Sequence, residues 1–295
     1  MSQDKVVAAI DAGGTSFKCA LVTQDGTILR AWSVPTTDPD ETLSACAESF
    51  EAAVKAQNAE PLALGIACFG PVEINPASAQ YGTITGTAKL GWNAAAIGPR
   101  LSAAVGLPFH LDTDVNAALA AEMRWGAARG MSSAAYMTVG TGIGVGLFLN
   151  DGFVGQPSHP EFGHIRVPRH AEDPSFAGVC ALHGDCLEGL ASARALTARW
   201  GDPAALPEDH IGWEIEADYL AQGCLNIFLM TRLQRIVIGG GLMNASHLLG
   251  QVRQRFDQLV GGYLPVSGPQ MICAPGLGAQ AGVLGGAVLA LNALN

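Results

Sequence analysis

Charged side chains are scarce in this 295-residue chain, and basic ones are scarcer than acidic ones. Only 14% of the residues are charged, with 16 Lys and Arg against 26 Asp and Glu, and the formal net charge is −10. Because nucleic acids and anionic membrane surfaces attract basic patches, this balance argues against both as partners. The hydrophobic content of 49% indicates a globular protein with a well-filled core, and the length suits two domains or one large one.

The sequence also lacks a convincing membrane span or secretory leader. The uncharged run 130–150 has glycine at every second position from 140 to 146, which indicates a strand, a turn and a second strand. The apolar run 281–291 is shorter than the roughly 20 residues that a spanning helix needs, and we expect a buried helix packed through Gly and Ala. The N-terminus carries Asp4 and Lys5 and enters a strand at once. We therefore predict a soluble, cytoplasmic protein.

Two common nucleotide-binding motifs are missing as well. No Gly-x4-Gly-Lys-Ser/Thr occurs, which excludes a P-loop enzyme. The spacing Gly276-x-Gly278-x-x-Ala281 could be mistaken for a dinucleotide fingerprint. However, only 14 residues follow Ala281, too few for the helix and strand of a βαβ unit.

A glycine turn between two predicted strands opens the chain. A run of apolar residues leads into Asp11, and apolar residues alternate after the turn at positions 17, 19 and 21. Gly13 and Gly14 have no side chain, so backbone N–H groups there can approach a phosphate closely, and Thr15 adds a hydroxyl donor. Asp11 places a carboxylate where a hydrated Mg²⁺ would lie beside phosphate oxygens. An ordinary Gly-Gly hairpin is the alternative interpretation.

The same pattern recurs 126 residues later. Gly140-Thr141 aligns with Gly14-Thr15, and Asp151-Gly152 aligns with Asp25-Gly26, while the apolar alternation after the turn is repeated. Two matching hairpins predict a duplicated α/β protein in which each half offers a phosphate-binding turn to one cleft. This arrangement resembles the actin-like ATPase (ribonuclease H-like) superfold, in which the active site and its ATP lie in the interdomain cleft.

A polar cluster follows a short predicted strand at Asp112-Thr-Asp-Val-Asn116 and precedes an alanine-rich helix. Asp114 would lie at or near the N-terminus of that helix, where a simple cap is the alternative interpretation. Two acids beside Thr113 and Asn116 are more polar than one cap requires. We therefore favour a functional site at this strand end.

A compact Cys-x2-His-x2-Cys segment supplies three candidate metal ligands, Cys180, His183 and Cys186. His164 lies upstream and completes a set of four that suits tetrahedral Zn²⁺. The spacing differs from a paired Cys-x2-Cys finger, and isolated histidines are often core or surface residues. A disulfide between Cys180 and Cys186 is disfavoured in a reducing cytoplasm, so we predict a zinc site.

Taken in order, these motifs resemble the ROK family, which groups repressors, unassigned reading frames and sugar kinases. The resemblance covers essentially the whole chain, and the segments 81–85 and 180–189 are similar to its fructokinase branch. It implies phosphorylation of the 6-hydroxyl of D-fructose by ATP, with mannose, glucose or N-acetylmannosamine as alternative sugars. Thr113 stands where glucokinase-like members carry Asn, which also favours fructose over glucose.

Two interpretations from other classes remain. A sugar-responsive repressor is disfavoured because only ten residues precede Asp11 and the net charge is negative. A sugar-binding protein without activity is disfavoured because Asp114 and both glycine turns are intact.

The resemblance assigns a role to each of these residues. Asp114 would be the general base, with Asn116 supporting it. The implied sugar contacts are Asn116, Glu161, His164 and Glu188. The implied contacts to ATP and Mg²⁺ are Asp11, Gly13, Gly14, Thr15, Gly140, Thr141, Gly142, Gly240, Gly241 and Gly278. The implied Zn²⁺ ligands are His164, Cys180, His183 and Cys186, and one ring nitrogen of His164 would bind the metal while the other points to the sugar.

The domain organisation follows from the duplication and the family resemblance. We predict a small N-terminal actin-like domain at 1–115, joined by the C-terminal helix 281–295. A large actin-like domain at 116–280 would contain the zinc-binding segment 161–188. The family resemblance also implies a homodimer.

Overall fold

Residues 4–87 and 89–294 are described by a computed structural model, and the chain divides into two units. The first unit runs to Arg129 and also contains Phe153–His159 and the chain from Gly276 onward. The second unit comprises Gly130–Gly152 and Pro160–Pro275. The sequence placed the boundary at residue 115, whereas this division keeps the helix that begins at Asp114 entirely in the first unit.

The first unit contains one five-stranded sheet. Its strands are β1 (Asp4–Ala12), β2 (Ser16–Thr23), β3 (Ile28–Pro35), β4 (Ala59–Cys68) and β5 (Phe109–Thr113). Their order across the sheet is β3-β2-β1-β4-β5, with β1, β2 and β3 antiparallel to one another in turn and β4 and β5 parallel to β1. The carboxyl ends of β1, β4 and β5 therefore lie at one edge, where ligands of open α/β sheets bind.

The second unit repeats this sheet. Its strands are β6 (Ala134–Val139), β7 (Ile143–Leu149), β8 (Gly152–Phe153), β9 (Arg235–Gly239) and β10 (Ile272–Cys273). Their order, β8-β7-β6-β9-β10, reproduces the order of the first sheet strand by strand, with β6 antiparallel to β7 and parallel to β9. The shared topology confirms the duplication that the recurring turns predict.

The two hairpin turns differ by one residue. Ala12 pairs with Phe17 across the first turn, whereas Val139 pairs with Ile143 across the second. The offset of 126 therefore relates β2 to β7 but not β1 to β6. An alignment based on the glycines alone does not reveal that the first turn has one residue more than the second.

The helices contribute buried side chains to the same hydrophobic cores as the sheet of their unit. They are α1 (Pro39–Gln57), α2 (Ile97–Val105), α3 (Asp114–Trp125), α4 (Leu187–Ala191), α5 (Ala193–Trp200), α6 (Ile211–Thr231), α7 (Leu248–Val260), α8 (Gly268–Met271) and α9 (Ala281–Asn292). None of the helices in the described ranges is both long and apolar enough to span a bilayer.

Helix α9 is the buried, small-residue helix that the sequence predicts. Ten of its residues are buried, and it packs against α3, β1 and β4. Gly65 of β4 lies so close to α9 that a Cβ there would overlap the carbonyl oxygen of Gly286. Glycine on both elements thus allows the helix backbone to lie directly on the sheet.

Candidate active site

The first glycine turn, between β1 and β2, leaves backbone N–H groups free. The carbonyl oxygens of Gly13, Gly14 and Thr15 accept hydrogen bonds from Thr36 Oγ1 at 2.8 Å, Lys89 Nζ at 2.6 Å and the Thr36 N–H at 3.0 Å. Within the described residues, the N–H groups of Gly14 and Thr15 have no protein acceptor, and both residues are exposed. Free backbone N–H groups in a turn of this kind can bind phosphate oxygens.

The second glycine turn, between β6 and β7, has the same arrangement. Its carbonyl oxygens are held by protein donors: Gly140 by the Ala193 N–H at 2.8 Å, Thr141 by Arg194 Nε at 2.9 Å, and Gly142 by the Gly140 N–H at 2.9 Å. Over the described part of the chain, the N–H groups of Thr141 and Gly142 find no acceptor. Each unit therefore presents one turn with donors available to an anion.

Asp11 ends β1 immediately before the first turn. Lys18 Nζ lies 3.7 Å from its Oδ2 atom, and the first turn of α9 abuts the carboxylate, because a Cβ on Gly282 would overlap it. Burial raises the pKa of Asp11, while the Lys18 charge acts in the opposite direction. A half-buried carboxylate beside a turn that can bind phosphate suits Mg²⁺, because this ion usually takes one or two carboxylates together with phosphates and waters.

The polar cluster at the end of β5 contains two acids, Asp112 and Asp114, and they have different surroundings. Asp112 is 3% exposed, and its Oδ1 atom accepts hydrogen bonds from the Thr113 N–H at 2.7 Å and from Asn116 Nδ2 at 2.8 Å. Thr113 Oγ1 accepts from the Asn116 N–H at 3.2 Å and so caps α3. Asp112, Thr113 and Asn116 thus form a buried support for the start of the helix.

Asp114 is the acid that remains available. It is the first residue of α3, it is only partly buried, and its Oδ1 atom accepts the Val115 N–H at 2.9 Å. Burial and, to a smaller degree, the charge of Asp11 raise the pKa of Asp114 to about 7. A general base works best when its pKa lies near the operating pH, so this environment suits proton abstraction at neutral pH.

The four predicted zinc ligands come together in the second unit. One ligand atom from each of His164, Cys180, His183 and Cys186 lies within 4.8 Å of all the others. His164 Nδ1 is 3.5 Å from Cys186 Sγ and 3.7 Å from Cys180 Sγ, and His183 Nδ1 is 3.8 Å from Cys180 Sγ.

Backbone hydrogen bonds build this cluster. Cys180 and Gly184 bond to each other in both directions, at 3.2 and 2.9 Å, and close the Cys-x2-His loop. The Leu187 N–H donates to the carbonyl oxygen of Ile165 at 2.9 Å, which joins the start of α4 to the segment that carries His164. The loop and the upstream histidine are therefore held together by the backbone.

The predicted sugar-contacting acids lie beside these features. Glu161 Oε2 is 3.9 Å from His164 Nε2, the ring nitrogen that faces away from the cysteines. Glu188 accepts the Ile143 N–H at 3.1 Å and lies 3.5 Å from Arg194, so it supports the second glycine turn. Asn116, the remaining predicted sugar contact, is 1% exposed and donates to Asp112.

The predicted nucleotide glycines lie at element ends in both units. Gly240 follows β9 with φ 97°, and a Cβ there would overlap the Val139 backbone, so no other residue fits without strain. At Gly241 and Gly278 nothing lies within 4 Å of the place that a Cβ would occupy, so these backbones border open space. The backbones of Gly241 and Gly278 therefore permit close approach of a ligand, whereas Gly240 is required by its packing against Val139.

Three further residues bond the glycine turns or the segment that precedes α9, although no sequence motif predicts them. Lys89 and Arg194 each bond a carbonyl oxygen of a glycine turn. Glu122, fully buried on α3, accepts three backbone N–H groups, including those of Gly276 and Leu277. These contacts join residues up to 155 positions apart, and only the fold brings such residues together.

The chain matches the model of the ROK family over residues 7–293. It belongs to the ROK family. It is 38% identical to a putative fructokinase of Bacillus subtilis, covering 98% of this chain and 96% of that protein. It is also 38% identical to a fructokinase of Zymomonas mobilis, covering 99% of this chain and 98% of that one. A glucokinase of Streptomyces coelicolor is 29% identical over 95% of this ROK chain and 96% of its own length.

Solved ROK structures share the fold. A ROK hexokinase from Thermus thermophilus has a TM-score of 0.79 at 26% identity, covering 98% of this chain and 99% of its own. A ROK glucokinase from Streptomyces griseus, in complex with glucose and AMPPNP, has a TM-score of 0.76 at 25% identity, covering 97% and 99%. These similarities confirm the duplicated actin-like architecture that the sequence predicts.

Proposed function

We propose that this ROK protein is an ATP-dependent sugar kinase that converts D-fructose to fructose 6-phosphate. The observation that carries the proposal is the higher identity, over nearly full length, to fructokinases than to glucokinases. The available carboxylate of Asp114 and the two turns with free N–H groups supply the chemistry that phosphoryl transfer needs.

Asp114 accepts the proton of the 6-hydroxyl as that oxygen attacks the γ-phosphorus of ATP. The new P–O bond forms while the bond to the β-phosphate oxygen breaks, and ADP leaves. A pKa of about 7 leaves much of Asp114 ionised at neutral pH and makes it a better proton acceptor than an ordinary aspartate.

The two glycine turns hold the phosphates through the free N–H groups of Gly14, Thr15, Thr141 and Gly142. Asp11 would hold Mg²⁺, and the ion would neutralise phosphate charge. We further assign Gly240, Gly241 and Gly278 to the nucleotide, because the backbones of Gly241 and Gly278 border open space and Gly240 directly precedes Gly241. Catalysis of this kind depends mainly on positioning and on charge stabilisation.

We assign Glu161 and the Nε2 atom of His164 to the sugar hydroxyls. We also assign Glu188 to the sugar. Its carboxylate lies beside the second glycine turn, where the Ile143 N–H and Arg194 fix its orientation. Asn116 acts on the sugar site indirectly, because its amide donates to Asp112 and orients that carboxylate at the start of α3.

We propose that the His/Cys cluster binds one Zn²⁺. Bonds of about 2.0–2.1 Å to nitrogen and 2.3 Å to sulfur give tetrahedron edges of roughly 3.3–3.8 Å. The separations of 3.5, 3.7 and 3.8 Å around Cys180 and His164 fit that range. Binding through His164 Nδ1 would leave Nε2 for Glu161 and the sugar, and the metal would fix the tautomer and the ring orientation. With four protein ligands such a zinc ion would be structural, since no position would stay open for water.

The reaction is tested by identifying its products. Incubation with fructose, ATP and Mg²⁺ should yield ADP and fructose 6-phosphate in equal amounts, the sugar phosphate being detected by coupling through phosphoglucose isomerase. A product phosphorylated at another hydroxyl, or no ADP beyond a sugar-free control, would refute the proposal. The alternative is a ROK kinase for glucose, mannose or N-acetylmannosamine, and the more distant glucokinase relatives support glucose among these sugars.

A further inference from the structure

Lys89 lies on a loop that is anchored beside the first glycine turn. Trp92, three residues later, is fully buried, its Nε1 atom donates to the Thr37 carbonyl at 2.8 Å, and its ring packs on Phe17 at 5.4 Å between centroids. From this anchored loop the Lys89 ammonium reaches the carbonyl oxygen of Gly14 at 2.6 Å.

The charge of Lys89 is not neutralised by a neighbouring acid. Lys18, the other lysine at this turn, lies 3.7 Å from Asp11 and offsets its charge. Over residues 4–87 and 89–294, by contrast, the Lys89 ammonium forms no ion pair, and the neutral Gly14 carbonyl is its one hydrogen-bond partner. An ammonium has three donors, so two remain when one stays on Gly14.

The position of this ammonium identifies a ligand class. The N–H groups of Gly14 and Thr15 are free beside it, so a phosphate bound there would lie next to a positive charge. Ala12 of β1 pairs with Cys68 of β4, and Cys68 pairs with Thr113 of β5, so Asp114 follows a residue that lies two strands, or roughly 10 Å, from this turn. The phosphate at this turn is therefore the one next to the reacting hydroxyl.

We propose that Lys89 binds the γ-phosphoryl group of ATP and stabilises its charge during transfer, an assignment that rests on the proposed kinase function. In the nucleotide complex the ammonium bridges the Gly14 carbonyl and a γ-phosphate oxygen. Neither Asp11 nor Asp114 can serve this purpose, because both are acidic. Cationic clamps on a transferring phosphoryl group contribute more in the transition state than in the ground state.

Nucleotide binding tests the contact without any sugar. Calorimetry should show that Lys89→Met weakens binding of Mg-AMPPNP at least tenfold while changing the affinity for Mg-ADP less than threefold. Lys89→Arg should retain most of the discrimination, because the positive charge remains. Lys5→Met is the matched control: it removes the same charge from an exposed site at the far end of β1, about 20 Å from Asp11 at 3.3 Å per residue.

Kinetics tests the role in transfer. With saturating fructose and ATP, Lys89→Met should lower kcat by about 10²–10³-fold, as expected for a lost phosphoryl clamp. Equal loss of affinity for AMPPNP and ADP, or a kcat within threefold of wild type, would overturn the assignment. If wild-type protein phosphorylates no sugar, the proposed function fails, and the comparison of AMPPNP with ADP alone decides whether Lys89 contacts the γ-phosphate.

Discussion

Replacing Asp114 by Asn distinguishes the catalytic role of this residue from the effect of its ionised carboxylate on the stability of the fold. The substitution keeps the shape of the side chain and an oxygen that can accept the Val115 N–H. It removes the negative charge and the ability to take a proton. We therefore expect opposite effects on activity and on folding.

The loss of activity should be large. General-base catalysis contributes about 10²–10⁴-fold, so kcat for Asp114→Asn should fall by that factor while ATP binding stays near normal. In wild type, kcat/KM for the sugar should fall with a one-proton slope below about pH 7, because protonated Asp114 cannot act as a base. Steady-state assays between pH 5.5 and pH 9, limits chosen to span that value, measure both effects.

The effect on stability has the opposite sign. The pKa of Asp114 is raised from 3.8 in the unfolded chain to about 7 in the fold, so the folded state binds this proton more tightly. Ionisation therefore destabilises the fold progressively between about pH 4 and 7, and the full penalty is present above about 7. Asp114→Asn should accordingly raise the melting temperature at pH 8, and the gain should shrink as the pH falls toward 4.

Asp112→Asn is the matched control. Its oxygen can still accept from Thr113 and Asn116, so it should retain much more activity than Asp114→Asn. If Asp114→Asn kept more than about a tenth of wild-type kcat while Asp112→Asn lost nearly all of it, our assignment of the base would be wrong.

Three further predictions concern other parts of the molecule. Elemental analysis should find one Zn²⁺ per wild-type chain and none in the Cys180→Ser plus Cys186→Ser variant; absence of zinc from wild type would contradict the site. Glu122→Gln places an amide against three backbone N–H donors, so urea unfolding should show a loss of about 1–3 kcal/mol, and unchanged stability would refute its role. Thr113→Asn keeps a residue that caps helices well and should raise kcat/KM for glucose relative to fructose; an unchanged ratio would show that position 113 does not set the preference.

The fold was predictable where its signal is local. Gly14-Thr15 and Gly140-Thr141 lie between alternating apolar residues, and such a pattern specifies a hairpin from a few neighbouring positions. The recurrence then predicted two related halves, and the matching strand orders confirm it. The extra residue before β2 was not predictable, because hairpin register depends on the turn backbone.

The candidate site was predictable where chemistry follows spacing. Cys180, His183 and Cys186 are close in sequence, so a tight loop is enough to bring them together, and the residue type and upstream position of His164 identify it as the fourth ligand. Lys89 and Glu122 could not be found this way. Their partners lie 75 and up to 155 residues away, and no local pattern encodes such contacts.

The structure also changes how the residues around Asp114 are interpreted. The family resemblance implies that Thr113 influences the sugar preference and that Asn116 contacts the sugar. Both are buried, with Thr113 capping α3 and Asn116 holding Asp112. An effect of position 113 on sugar choice would therefore act through the placement of Asp114 at the start of the helix.

The sugar preference is the most direct test of the central claim. Steady-state kinetics with Mg-ATP should be measured for fructose, glucose, mannose and N-acetylmannosamine under identical conditions. We predict the highest kcat/KM for fructose, with mannose next. A kcat/KM for glucose or N-acetylmannosamine above that for fructose would contradict the fructokinase assignment.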